Sequence, residues 1–105
     1  MALTLARQML LQGVTEKHFR QVVKEWAEQR GWEVYFTWNS IHSPAGFPDL
    51  VLVRPPRIVF AELKRQNGKA TPRQDFWLDL LRHVPCTETY LWRPLDEALI
   101  LAVLA

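Results

Sequence analysis

The sequence predicts an α/β domain with a small mixed sheet flanked by helices, in the order helix, three strands, helix, strand, helix. Three observations lead there. Apolar residues recur at helical spacing between positions 15 and 30, and three runs rich in β-formers follow between positions 32 and 64. A second helical pattern then begins at Thr71 and is succeeded by one more β-rich run. A chain of 105 residues is the size of one domain, 1–105, with its core expected over about 15–93.

The first helix carries Phe19, Val22, Val23, Trp26 and Ala27 on one stripe, with Thr15 as N-cap and Gly31 as the stop. WEVYFTW (32–38) reads as a strand, and NSIHSPAGFP as a loop from its Asn, Ser, Pro and Gly content. DLVLVR and RIVFAELK form a hairpin turning around Pro55-Pro56. NGKA is a loop, after which Thr71 caps a second helix with Pro72 in its first turn. The expected core stripe of that helix is Phe76, Trp77, Leu80, Leu81 and Val84. TETYLWR is the fourth strand, and 95–105 a short apolar helix. Trp26, Trp77 and most other aromatics sit at core spacing, and Cys86 reads as an inert buried thiol.

Composition removes several function classes. A single cysteine excludes an internal disulfide and a cysteine-rich zinc site, and His18, His42 and His83 lack metal-ligand spacing. No apolar run approaches the roughly 18 residues of a membrane span, and the N-terminus reads poorly as a signal peptide, so a cytoplasmic protein is expected. The net charge of +2 says little. Its distribution says more: KRQNGKATPR holds Lys64, Arg65, Lys69 and Arg73 without an acidic residue, either a phosphate-facing patch or a solvated loop.

The hairpin poses the chemical question. With the turn centred between Pro55 and Pro56, Asp49 falls opposite Glu62, and opposed residues share a face. Period-two alternation puts Lys64 on that face with Val51, Val53, Ile58 and Phe60, while Leu50, Leu52, Val59, Ala61 and Leu63 line the other. Both faces are apolar, which predicts cover on both sides. A one-residue bulge separates the two carboxylates instead. Facing carboxylates at the end of a buried sheet repel, so they need a shared proton, a basic partner or a cation. Oxygen ligands of this kind suit Mg²⁺ or Mn²⁺. The alternative is a structural ion pair of Lys64 with Asp49 or Glu62 at the sheet rim.

Pro48-Asp49, twelve residues, then Glu62-Leu63-Lys64 resembles the signature of the PD-(D/E)XK nuclease superfamily. Within it, GFPDLVLV, FAELKRQNGKATPRQ and the preceding helix with Glu16 resemble the VRR-NUC (virus-type replication-repair nuclease) domain over roughly 15–93. The tripeptide Glu-Leu-Lys alone carries no signal; the ordered combination does. The resemblance implies a restriction-endonuclease-like αβββαβ core followed by the apolar C-terminal helix. It implies that Asp49, Glu62 and the carbonyl of Leu63 bind metal and that Lys64 is the catalytic lysine. It places a further metal-site acid at Glu16 and a glutamine near the active centre at Gln74. For Glu16 the plainer role is an acid favouring a helix N-terminus, and for Gln74 an exposed helix residue. His18, two residues from Glu16, falls mostly off its face.

The implied function is a Mg²⁺- or Mn²⁺-dependent endonuclease that hydrolyses DNA, with Arg65, Lys69 and Arg73 on the phosphate backbone. His42 and Ser43, in the loop before the catalytic strand, are further candidates for DNA contact. So small a domain has little surface for reading sequence, which favours structure-selective cleavage. Stand-alone members of the family resemble Holliday junction resolvases, homodimers acting on four-way junctions. The alternatives are a non-catalytic DNA-binding module, a flap or nicking nuclease of the same fold, or a protein-interaction subunit. The apolar ends, 1–14 and 95–105, point to a homodimer interface, because ALILAVLA leaves its helix no polar face.

Overall fold

A computed structural model of the chain describes residues 11–37 and 44–105. His42, Ser43 and most of the apolar N-terminus (1–10) lie outside the described residues. Helix α1 (Glu16–Gln29) leads to β1 (Glu33–Phe36), β2 (Leu50–Arg54) and β3 (Arg57–Leu63). Helix α2 (Pro72–Arg82), β4 (Glu88–Trp92), a 3-10 turn (Pro94–Asp96) and helix α3 (Glu97–Leu104) complete the chain. The strands lie in the order β1-β2-β3-β4, with β4 parallel to β3 and the other pairs antiparallel. This is the mixed sheet that the pattern of the sequence predicts.

Local chemistry sets the element ends. The Thr15 hydroxyl accepts from His18 N at 3.1 Å, capping α1, and Gly31 takes φ +83° just after its last turn, a conformation that costs glycine little. Thr71 and Gln74 form a reciprocal capping box at the start of α2, with Pro72 in the first turn. The hairpin register is the expected one: Leu50 pairs with Ala61, Leu52 with Val59 and Arg54 with Arg57, so no bulge intervenes. Arg57 grips Glu88 through two bonds of 2.7 Å, tying β3 to the start of β4.

The two faces of the sheet differ. Leu50, Leu52, Val59, Ala61 and Leu63 are fully buried in a core shared with Phe19, Val23 and Ala27 of α1 and Ile100 and Leu104 of α3. The opposite face receives α2: Trp77 stands edge-on to Phe47 at 5.1 Å, and Phe47 edge-on to Phe60 at 6.0 Å. Cover there is incomplete, contrary to the expectation of burial on both sides. Tyr35 is 64% exposed and Val53 37%, because α2 is a single short helix packed mainly on β3 and β4.

Three further expectations are corrected. The core stripe of α2 is misassigned: Leu78 is its buried residue, Trp77 and Leu81 are half-buried, and Phe76, Leu80 and Val84 are about half exposed. The buried arc runs through Gln74, Trp77, Leu78 and Leu81, one step round the helix from the more hydrophobic arc. Cys86 is exposed, not buried, in the turn before β4 at φ +66°. Finally, α3 does have an inner and an outer side: Ile100 and Leu104 enter the core while Ala98, Leu99 and Ala102 face out. It is anchored by Trp32 and Arg54, which both donate to the Leu104 carbonyl, at 3.0 and 3.2 Å. No described helix is long and apolar enough to cross a membrane.

Candidate active site

Asp49 stands where β2 and β3 part. Its carbonyl accepts from Thr37 N of the β1 end at 2.8 Å, and its carboxylate Oδ2 accepts from Leu63 N at 2.9 Å. The side chain thus takes over a backbone donor of β3 just before the paired residues of β2 begin. That fixes the carboxylate beside Glu62. Lys64 N donates to the Trp92 carbonyl at 3.0 Å, continuing the parallel ladder, so the backbone on both sides of Leu63 is held.

Glu62 is 1% exposed and Lys64 8% exposed, both pointing to the α2 side of the sheet. Glu16, at the start of α1, comes from the other direction. Carboxylate oxygens of Glu16, Asp49 and Glu62 lie within 4.8 Å of one another. Burial first, then the neighbouring Asp49, push the Glu62 carboxyl up to about 9; Lys64 pulls it down and Glu16 adds to the rise. The Lys64 ammonium therefore offsets only part of the repulsion, which argues against a simple ion pair.

Gln74 joins this group through its own capping role. Its Oε1 accepts from Thr71 N at 2.9 Å, which aims the amide nitrogen at Glu62 Oε1, 3.4 Å away. The bond is long, but it comes from a helix start fixed by the capping box. Gly46 helps bring that start close: at φ +97°, a Cβ on it would sit 2.5 Å from the Arg73 carbonyl carbon and oxygen. Only glycine permits the 44–47 loop to pack on the first turn of α2.

Glu62 Oε2 is buried and has no hydrogen-bond partner. A solvent-shielded carboxylate oxygen facing two other carboxylates is costly unless it binds a proton or a cation. The all-oxygen donor set suits a hard divalent ion. Glu16, Asp49 and Glu62 fit such an ion.

Asp49, Glu16 and Gln74 border an open cleft of about 900 Å³, whose walls also include Lys17, Arg20 and Trp77. Arg65, Lys69 and Arg73 are all exposed, and the Arg73 guanidinium lies 4.8 Å over the Phe76 ring. The loop between them is fastened by Arg93 to the Gly68 carbonyl at 2.8 Å and by Leu95 N to Gln66 Oε1 at 3.0 Å. Sequence reasoning missed Lys17 and Arg20, although their spacing from Glu16 on a helix puts them within one turn of it. It also missed Thr37, whose partnership with Asp49 is a cross-strand contact that no local pattern announces.

Comparison with known proteins agrees with this geometry. A family model for the VRR-NUC domain matches residues 2–91. A solved VRR_NUC domain protein superposes with a TM-score of 0.66 at 20% identity, over 87% of this chain and 85% of its own. A second solved structure, a VRR_NUC domain, gives a TM-score of 0.66 at 25% identity, over 82% of this chain and 96% of its own. No curated protein matches the chain. Matched over most of its length, the chain belongs to the VRR-NUC domain family, a nuclease fold of the PD-(D/E)XK type.

Proposed function

We propose that this nuclease domain is a divalent-metal-dependent endonuclease that hydrolyses DNA phosphodiesters, with Mg²⁺ or Mn²⁺ as its cofactor. The observation that carries the reading is the buried, unpartnered Oε2 of Glu62 beside the carboxylates of Asp49 and Glu16. These three, with the Leu63 carbonyl, would hold the ion. Bound there, it would polarise the scissile phosphodiester and supply a hydroxide-like water at neutral pH. Lys64, nearly buried on the same face, neutralises charge developing on the phosphate oxygens or orients the attacking water. Gln74 holds Glu62 in place and offers an amide donor at the cleft wall. Arg65, Lys69 and Arg73 meet the DNA backbone, leaving base identity unread.

The preferred substrate is branched DNA, a four-way junction above all, cut by a homodimer within the cytoplasm. Support for a dimer comes from apolar surface. Phe76 and Leu80 of α2 and Val84 just after it are exposed on the same side of the sheet as Tyr35 and Val53, and Leu99 is exposed on α3. Surface of this kind commonly marks an interface, and twofold pairing is the commonest way to bury it.

The decisive experiment is a panel of labelled duplex, single-stranded, forked and four-way-junction DNAs, incubated with and without Mg²⁺ or Mn²⁺. Metal-dependent internal cleavage of the junction, lost in Asp49→Ala and Glu62→Ala with DNA binding retained, is the expected result. Binding without cleavage in either metal would reduce the protein to a DNA-binding module. Cleavage by a carboxylate variant at the wild-type rate would refute the site.

A further inference from the structure

The cleft has a second wall that the carboxylate chemistry does not use. Lys17, Arg20 and Gln21, on consecutive turns of α1, line it across from Gln74 and Trp77 of α2. Arg20 is drawn toward the acidic cluster: its Nη2 lies 3.7 Å from Glu16 Oε1, and its side chain remains 37% exposed. Yet its Nε is shielded from solvent and has no hydrogen-bond partner. The hydroxyl of Thr37, in the same cleft, is likewise shielded and unpartnered. A buried donor without an acceptor is rare in folded proteins and asks for a missing partner. With Trp77 Nε1, three such donors belong to residues bordering one cleft, and together they ask for an acceptor-rich group.

We infer that Arg20, supported by Lys17 and Thr37, forms a phosphate-binding subsite on α1 that grips the backbone of the DNA strand lying in the cleft. The inference rests on the nuclease reading above and adds residues to it. Charge arithmetic favours it. Three carboxylates and one phosphodiester carry four negative charges, while a divalent ion and Lys64 supply three positive ones; Arg20 supplies the fourth. Guanidinium is suited to the task, since its planar fork pairs two N–H donors with two phosphate oxygens. Glu16 then has two roles, facing the ion and holding the guanidinium near the strand. Arg20 is a binding and positioning residue in this arrangement, because nothing brings it to the reacting bond.

The test is equilibrium binding of a fluorescent four-way junction by the full chain in EDTA, followed by anisotropy over a series of salt concentrations. EDTA removes any effect exerted through the metal ligands. Arg20→Gln should weaken binding about tenfold and lower the salt slope by about one, the change for one lost phosphate contact. Arg20→Lys should restore most of the affinity, and Lys17→Gln should give a smaller loss of the same kind. With metal present, Arg20→Gln should raise KM more than it lowers kcat. A role confined to bracing Glu16 predicts instead an unchanged slope in EDTA with weaker metal binding, and that result would overturn the subsite. Wild-type protein that neither binds DNA in Ca²⁺ nor cuts it in Mg²⁺ or Mn²⁺ would overturn the nuclease reading, and the subsite with it.

Discussion

Replacing Glu62 by glutamine should make the metal-free protein more stable while abolishing its activity. The carboxyl is 1% exposed and held up at about 9 against an ordinary value of 4.5. Below about pH 4.5 the folded and unfolded chains both carry the proton, and no penalty exists. Between about pH 4.5 and pH 9 the folded state keeps a proton that the unfolded state releases, so stability falls as pH rises. Each pH unit in that window is worth at most about 1.4 kcal/mol. Glutamine has nearly the same shape, does not titrate, and can donate to Asp49.

At about pH 7.5 the window gives an upper bound of ~4 kcal/mol. Water reaching the half-exposed Glu16 and Asp49 screens part of this, leaving about 2 kcal/mol, or roughly 10 °C in melting temperature for a domain of this size. Thermal unfolding in EDTA at about pH 5 and pH 8 measures it. Glu62→Gln should match wild type at the lower pH and exceed it at the higher one. Adding Mg²⁺ should reverse the order, since an ion bound only by the native state stabilises wild type by mass action. A variant less stable than wild type at pH 8 in EDTA would show that Glu62 is satisfied by bonds of its own and refute the argument.

The same proton must leave before a cation enters, so Mg²⁺ affinity should rise steeply between about pH 6 and pH 8; calorimetry in buffers of different ionisation enthalpy reads the released proton. Lys64→Ala should lower kcat about 100-fold while leaving calorimetric metal binding near wild type. Gln74→Ala should cost about 1 kcal/mol through loss of the capping box, seen by urea unfolding, and Gln74→Glu, which keeps a carboxylate oxygen for the box, should add a fourth carboxylate and tighten calorimetric divalent-metal binding. Removing charge at Arg65, Lys69 and Arg73 together should weaken binding to every DNA sequence alike and flatten its salt dependence; a loss confined to certain sequences would mean base readout.

Much of the fold is legible because its signals are local. Thr15, Gly31 and the Thr71-Pro72 pair announce helix ends through backbone chemistry that needs no tertiary partner. The hairpin register follows from the position of Pro55-Pro56, and the register then places Asp49 beside Glu62. The α2 stripe fails for the opposite reason. Phe76, Leu80 and Val84 make the more hydrophobic arc, but the sheet offers α2 a contact only over β3 and β4. The shorter arc through Trp77 and Leu78 therefore meets Phe47 and the sheet. Hydrophobic periodicity finds a helix reliably and its buried side less so when cover is partial. Cys86 fails similarly: its preference for burial is a composition rule, and a turn at positive φ overrides it.

The site divides along the same line. Asp49, Glu62 and Lys64 are readable because strand alternation fixes their common face. Glu16 needs tertiary packing to bring α1 over the strand ends, and Gln74 needs a loop to approach a helix. Gly46 supplies the second requirement. Its positive φ and its contact with the Arg73 carbonyl let the chain leading into Asp49 lie against the turn that carries Gln74. One glycine thus couples the strand that presents a carboxylate to the helix that steadies its neighbour. A side chain there would separate the two by forcing the backbones apart. Substituting alanine should therefore affect the cluster as well as the loop, and the geometry of the acids depends on a residue that has no chemistry of its own.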